Sequence, residues 1–298
     1  MLQLARQARA AMSLLNPEAV RGLAQRPVHF GLVSATPAGY AEMEDFLIPP
    51  ELEREVRVER YGLVHRADDP NPPEEVDFAL YGEGLAAGEG ACAFQRDDPR
   101  RTVAAILAAS GDLAVPLARQ FPVFRHGVVD RIIHSVACEN ALFAVATALP
   151  DVVPSLVELP WALGEWASDT AFLTANQFRM AFLIAAACGR HAGFGEQKSQ
   201  ILAIAAGAFG WRAIARELAG KIPFGGGLIP KGAIAYAGTF VVGKALERWY
   251  GSQGRLAREE RRKVWETALE RGRAVVRDAV PGHSPQAAPS PASEPDPT

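Results

Sequence analysis

No pair of cysteines close enough to suggest a C-x-x-C motif, no H-x-x-H pair and no field of one charge sign appears in this chain of 298 residues. Its three cysteines, Cys92, Cys138 and Cys188, are too far apart for a zinc cluster or a disulfide framework, and the simplest reading is a reducing, cytosolic environment. Its six histidines form no metal-ligand spacing, so no metal is expected. Acids and bases are interspersed to a net charge of −3, which gives nothing to attract nucleic acid. A nucleophile elbow, a dinucleotide fingerprint and a kinase set are all missing, and the expectation is a protein that is not an enzyme and carries no cofactor. The first residues, Met1 to Asn16, mix polar groups into apolar positions and read as an amphipathic helix, not a signal peptide.

Also missing is an apolar run of about 20 residues, the length a membrane-spanning helix needs. The stretch from Asn140 to Val157 is broken by Pro150, Asp151 and Pro154, and that from Thr170 to Cys188 contains Asn176, Gln177 and Arg179. The segment Gly232 to Gly243 is clean but short. Yet 49% of the residues are hydrophobic, enough for a large core.

Five regions follow from texture. A leading helix takes residues 1–26. Residues 27–127 alternate strand-like runs (Val28 to Val33, Val56 to Val64, Val76 to Tyr81, Ala91 to Phe94) with helical patterns such as Arg100 to Ala109, which predicts a small α/β domain with a mainly parallel sheet. Residues 128–252 are alanine-rich and helix-favouring, an all-α apolar domain. A charged amphipathic helix takes 253–280, with Val264, Trp265, Ala268, Leu269, Val275 and Val276 on one stripe and Glu259 spaced to pair with Lys263. The Pro- and Ser-rich tail, 281–298, cannot form a core and is expected to be disordered.

Three candidate sites emerge. The order of elements in the α/β half is similar to that of a small GTPase, but the strand ending at Val33 runs into Ser34-Ala-Thr-Pro-Ala-Gly39, without the Lys and paired glycines of a phosphate-binding loop. Asp98 stands where a GTPase reads its base, and is a weak nucleotide-binding candidate; Asp97 or Asp98 serving as N-cap before Pro99 explains these residues better. In the helical half, Glu158, Glu165, Asp169 and Asn176 recur at helical steps, with Arg179 close by. They form either a polar seam between helices or the solvated face of an ordinary amphipathic helix. The loop containing Lys221, Gly225, Gly226, Gly227 and Lys231 could hold an anion or lipid headgroup, or be a tight interhelical turn. Ala235, Thr239 and Gly243 make a small-residue ridge suited to close helix contact.

The segments Phe121-Pro-Val-Phe-Arg125, Asn140-Ala-Leu142, Asp151-Val-Val-Pro154, Gln177-Phe-Arg-Met180 and Ile229-Pro-Lys-Gly-Ala-Ile-Ala-Tyr236 through Thr239, Gly243 and Tyr250 resemble the YcjF-like domain of unknown function. That resemblance implies membrane association, and makes residues 27–127 similar to a degenerate form of the GTPase domain that often precedes it. The function implied is a membrane-associated scaffold or interaction protein on the cytoplasmic side of the cytoplasmic membrane, with a protein partner or a second copy of the chain as further partners. The alternatives are a soluble, cytoplasmic helical regulator and a residual guanine-nucleotide switch.

Overall fold

The computed structural model describes residues 16–70, 73, 75–88, 90–147, 169–200, 203, 228–251, 254 and 256–279. The leading segment before Asn16, the tail, Glu158, Glu165, Lys221 and Gly225 to Gly227 lie outside the described residues.

A small parallel sheet comes first. Strands β1 (Phe30–Val33), β2 (Val64–Arg66), β3 (Phe78–Tyr81) and β4 (Cys92–Ala93) lie in the order β2-β1-β3-β4, with Phe30 in register with Val64 and Phe78. Parallel neighbours need crossovers, and helices supply the one between β1 and β2. Helix α1 (Pro17–Gln25) precedes the sheet; α2 (Pro37–Leu47) and α3 (Arg54–Tyr61) connect β1 to β2; α4 (Pro99–Ala109) follows β4. The starts of α1, α2 and α4 all carry proline in the first turn, where the missing N–H costs nothing. Asn16 and Thr36 cap the first two by accepting from the backbone N–H groups of Glu18 and Gly39.

One expectation fails locally. The run Val56-Arg-Val58 is helical, part of α3, although valine favours strands. Arg54, Glu55, Arg57, Glu59 and Arg60 surround the valines, and none of the helix's residues is buried, so no sheet partner overrides the local helix preference of the charged residues.

The rest of the described chain is helical: α5 (Ala114–Gln120), α6 (Arg125–Ala146), α7 (Asp169–Ala187), α8 (Leu228–Tyr250) and α9 (Arg258–Ala279). Helix α8 packs against α6, α7 and α9 at once, and every residue from Gly232 to Phe240 is buried. A helix apolar on all sides belongs in the middle of a bundle. Helix α9 presents Ala268, Gly272 and Val276 to it, while Arg262 bridges Glu259 and Glu266 on the outer face; Glu259 therefore pairs three residues on, not with Lys263.

Sheet and helices share one apolar core, continuous from Val28 to Val276. Its joint is aromatic: Phe30 of β1 meets Phe121 edge-on at 4.9 Å and stacks on Phe124 at 6.0 Å, where α5 turns into α6. Beside it the buried amide of Gln120 accepts from Val28 N at 3.0 Å and donates to the Arg26 carbonyl at 2.6 Å, fixing the chain where it enters β1.

The bundle depends on missing side chains. A Cβ on Gly272 would lie 2.9 Å from Ala233 Cα and 3.0 Å from its carbonyl oxygen, and one on Gly243 would lie 2.6 Å from Ile133 Cγ1. Backbone cannot step aside as a side-chain tip can, so Gly272→Ala is expected to destabilise the protein by about 1–3 kcal/mol in urea unfolding. Gly22→Ala in α1, where the new methyl meets open space, should instead be stabilising, by roughly 0.5–1 kcal/mol.

Candidate functional site

Two places gather the residues that the sequence singles out. The first is the carboxyl edge of the sheet, where ligands of open α/β folds usually bind. β3 runs into Gly82-Glu-Gly84 and β4 into Phe94 to Asp98, and between them lies a cleft of about 500 Å³. Asp98 lies in this cleft at the N-cap position of α4, but its side chain makes no capping bond; Oδ2 instead meets Arg101 Nε at 3.2 Å. Arg96 pairs with Glu42 at 3.0 Å, so the cations of the cleft are matched by carboxylates and give no concentrated positive field for a polyphosphate.

The turn after β1 is closed by its own side chains. Ser34 Oγ accepts from Thr36 N at 3.2 Å and donates to the Thr36 carbonyl at 3.0 Å, and the Gly39 N–H is taken by Thr36 Oγ1. A Cβ on Gly39 would lie 2.3 Å from Ser34 Oγ and would push that hydroxyl out of the hydrogen bonds that close the turn. The glycine serves close packing of this turn and not an open phosphate cradle.

The second place is inside the helical half. Asn176 and Arg179 of α7 are both 7% exposed and face α6. Asn176 Nδ2 donates to Asn140 Oδ1 at 3.0 Å and to Glu139 Oε2 at 3.2 Å; Asn140 Nδ2 in turn donates to Thr239 Oγ1 of α8 at 2.8 Å. Arg179 pairs with the same Glu139 carboxylate. Three helices are thereby joined through one chain of polar atoms. Asp169 begins the same helix, and Glu158 and Glu165 fall outside the described residues. Lys231, in the first turn of α8, donates to Thr147 Oγ1 at 3.4 Å.

Sequence periodicity missed Glu139, the residue on which Asn176 and Arg179 converge, because its partners are 37 and 40 residues away. It also missed a line of thiol, imidazole and phenol: Cys138 Sγ lies 3.6 Å from His134 Nε2, and His134 Nδ1 lies 2.7 Å from Tyr236 Oη. The arrangement has the outline of a nucleophile with its base, but the electrostatics oppose it. Burial, helped by the Glu139 charge, pushes the Cys138 thiol up, and burial pushes the Tyr236 phenol up to about 12. A nucleophilic cysteine needs the opposite shift. Among the described residues no three His, Cys, Asp or Glu side chains form a group able to hold a metal ion.

At the other end of β1, His29 Nδ1 and His65 Nε2 face each other at 3.0 Å with their rings stacked. Asp77 accepts from the His29 backbone N–H, and the Asp69 charge favours a proton on His65. Burial and the neighbouring His29 nevertheless hold His65 below its ordinary value of 6.5.

No single helix among the described residues is long and apolar enough to cross a membrane. One bent pair passes by length and composition together, Pro99–Ala109 with Gly111–Gln120, turned by 118°, but Ile106, Leu107, Leu117 and Ala118 within it are buried in the protein's own core. Comparison with protein-family models, with curated proteins and with solved structures finds no match.

Two outcomes follow from this geometry. Asn140→Ala leaves Asn176 and Thr239 without their buried partner and should cost about 3 kcal/mol in urea unfolding, at roughly 1–3 kcal/mol per unpaired group. A histidine whose pKa is depressed on folding binds fewer protons folded than unfolded, so its contribution is complete above about 6.5 and is lost as the pH falls below that value. Stability measured from pH 7.5 downwards should therefore decline below about 6.5, and His65→Asn should flatten that decline.

Proposed function

We propose that the protein is a non-enzymatic scaffold whose helical half, related to the YcjF-like domains, docks at the cytoplasmic face of the cytoplasmic membrane and holds a protein partner or a second copy there. The observation that carries this reading is the internal pairing of Glu139, Asn140, Asn176, Arg179 and Thr239, which turns the polar side chains between α6, α7 and α8 toward one another. Helices that work at an apolar boundary have to satisfy their polar side chains among themselves. The raised thiol of Cys138 and the charge-matched cleft at Asp98 support a role without catalysis. Because no described helix has the length and apolarity to span, the reading is of docking at the surface, with Lys221 and Lys231 to meet anionic headgroups.

A soluble regulator is the competing reading, favoured by the burial of Gly232 to Phe240 of α8 on all sides. A residual guanine-nucleotide switch draws no support from Asp98, whose carboxylate is engaged by Arg101.

Flotation of the detergent-free full chain with vesicles decides between docking and a soluble life. The protein should rise with vesicles containing anionic phospholipid, and Lys221→Gln with Lys231→Gln should weaken that binding roughly thirtyfold, at about 1 kcal/mol for each lysine. Protein that stays at the bottom of the gradient with every vesicle composition overturns the membrane reading.

A further inference from the structure

Helix α6 is pinned by a buried stripe of Val129, Ile133, Val136, Ala137 and Asn140, and beside that stripe it carries His134, exposed, and Cys138, half-buried. The two stand four residues apart, the spacing that puts both metal ligands of an H-E-x-x-H helix on one face. Cys138 Sγ and His134 Nε2 face each other at 3.6 Å.

That separation fits more than a weak S–H hydrogen bond. A zinc-type ion holds sulfur at about 2.3 Å and imidazole nitrogen at about 2.0–2.1 Å, and two such ligands at a tetrahedral angle stand about 3.5–3.6 Å apart. Thiol and imidazole are therefore already at the spacing of two ligands that share one ion, and no backbone has to move to bring them there.

The imidazole is also held as a ligand needs to be. Its other nitrogen, Nδ1, lies 2.7 Å from Oη of Tyr236, which is fully buried and stacked on Phe240 at 5.8 Å. With Nε2 on an ion, the one ring proton sits on Nδ1 and is donated to that oxygen, the outer contact that fixes tautomer and orientation in metal-bound histidines. Burial pushes the phenol up to about 12, so the accepting oxygen stays that of a neutral hydroxyl.

The electrostatics that oppose a free nucleophile do not oppose a ligand. The Glu139 charge is felt at the Cys138 sulfur, where it adds to burial in pushing the thiol up. The same negative charge attracts a cation, and an ion that bonds the sulfur displaces its proton outright. Asp130, one turn before His134, adds a second carboxylate, shared with Lys244 at 2.9 Å. Arg271 of α9 is felt at the Tyr236 phenol and acts the other way, but its guanidinium is drawn over the Phe240 ring at 5.6 Å.

We propose that His134 and Cys138 form a two-residue site for a thiophilic divalent ion of the zinc type, bound through Nε2 and Sγ, with the thiol proton released to solvent and water in the remaining positions. Two protein ligands hold an ion less firmly than the three or four of a zinc enzyme or finger, and they leave it open to exchange. The sulfur selects against magnesium and calcium, which take oxygen ligands. Metal binding here needs no membrane.

Cobalt(II) is the probe, because a bound thiolate gives it an intense near-ultraviolet charge-transfer band that oxygen and nitrogen ligands do not. Added to the reduced full chain, it should raise that band to saturation at one ion per chain; zinc should abolish the band and magnesium should leave it unchanged. Cys138→Ser should remove it, as should His134→Gln at the same cobalt concentration, whereas Cys92→Ala combined with Cys188→Ala should keep it. Tyr236→Phe, in a chain that still melts as a folded protein, should keep the position of the band and weaken cobalt binding about 10–100-fold, the worth of an outer partner of a metal ligand. A band that never appears overturns the proposal, as does one that survives Cys138→Ser or His134→Gln, or one lost when only Cys92 and Cys188 are replaced.

Discussion

The protein rests on how closely α6 and α9 can approach the backbone of α8. Ridges of side chains normally hold helix axes apart by about 8–10 Å. Here Gly232, Gly243 and Gly272 remove the ridge where the helices meet, and the facing atoms already occupy the space that a Cβ would need. The dispersion attractions that result are individually small and depend steeply on distance, so they are kept only if the approach is kept. The alanines at 233, 235 and 237 belong to the same design, since each takes little volume and loses no rotamer freedom.

Close approach makes polar groups at the interface unfavourable, and the polar chain through Asn140 is how that penalty is offset. Asn140 is fully buried on a helix flanked by Ala137 and Ala141, and a lone amide there would oppose folding. Paired with Thr239 on one side and Asn176 on the other, it instead selects one rotation of α6, α7 and α8 about their axes. Apolar packing alone tolerates a slip along a helix, whereas directional hydrogen bonds among three helices do not. Arg179 and Glu139 extend the same chain to the rim, where half-exposure of the carboxylate softens the cost of bringing a charge pair inside.

How much of this is legible in the sequence depends on range. The parallel sheet and the helical second half can be read from alternation and alanine content, because both signals repeat within a few residues. The missing phosphate loop is equally plain, and the geometry of Ser34, Thr36 and Gly39 accounts for that turn without one. The helix at Val56 to Val58 is hidden from pattern reading because β-branched residues bias a strand only when a neighbouring strand is there to pair with them. Asn176 and Arg179 stand out as polar interruptions in an apolar stretch, but their role turns on Glu139 and Asn140, which no local pattern links to them.

The aromatic joint at Phe30, Phe121 and Phe124 has a bearing on how such a chain can change over time. A small sheet beside a helical bundle could in principle be trimmed away without touching the bundle. Here it cannot leave without stripping the start of α6 of its cover, because Phe124 reaches across to Phe30 while Gln120 holds the chain at Val28. The α/β half therefore serves as masonry: the helices are built against it.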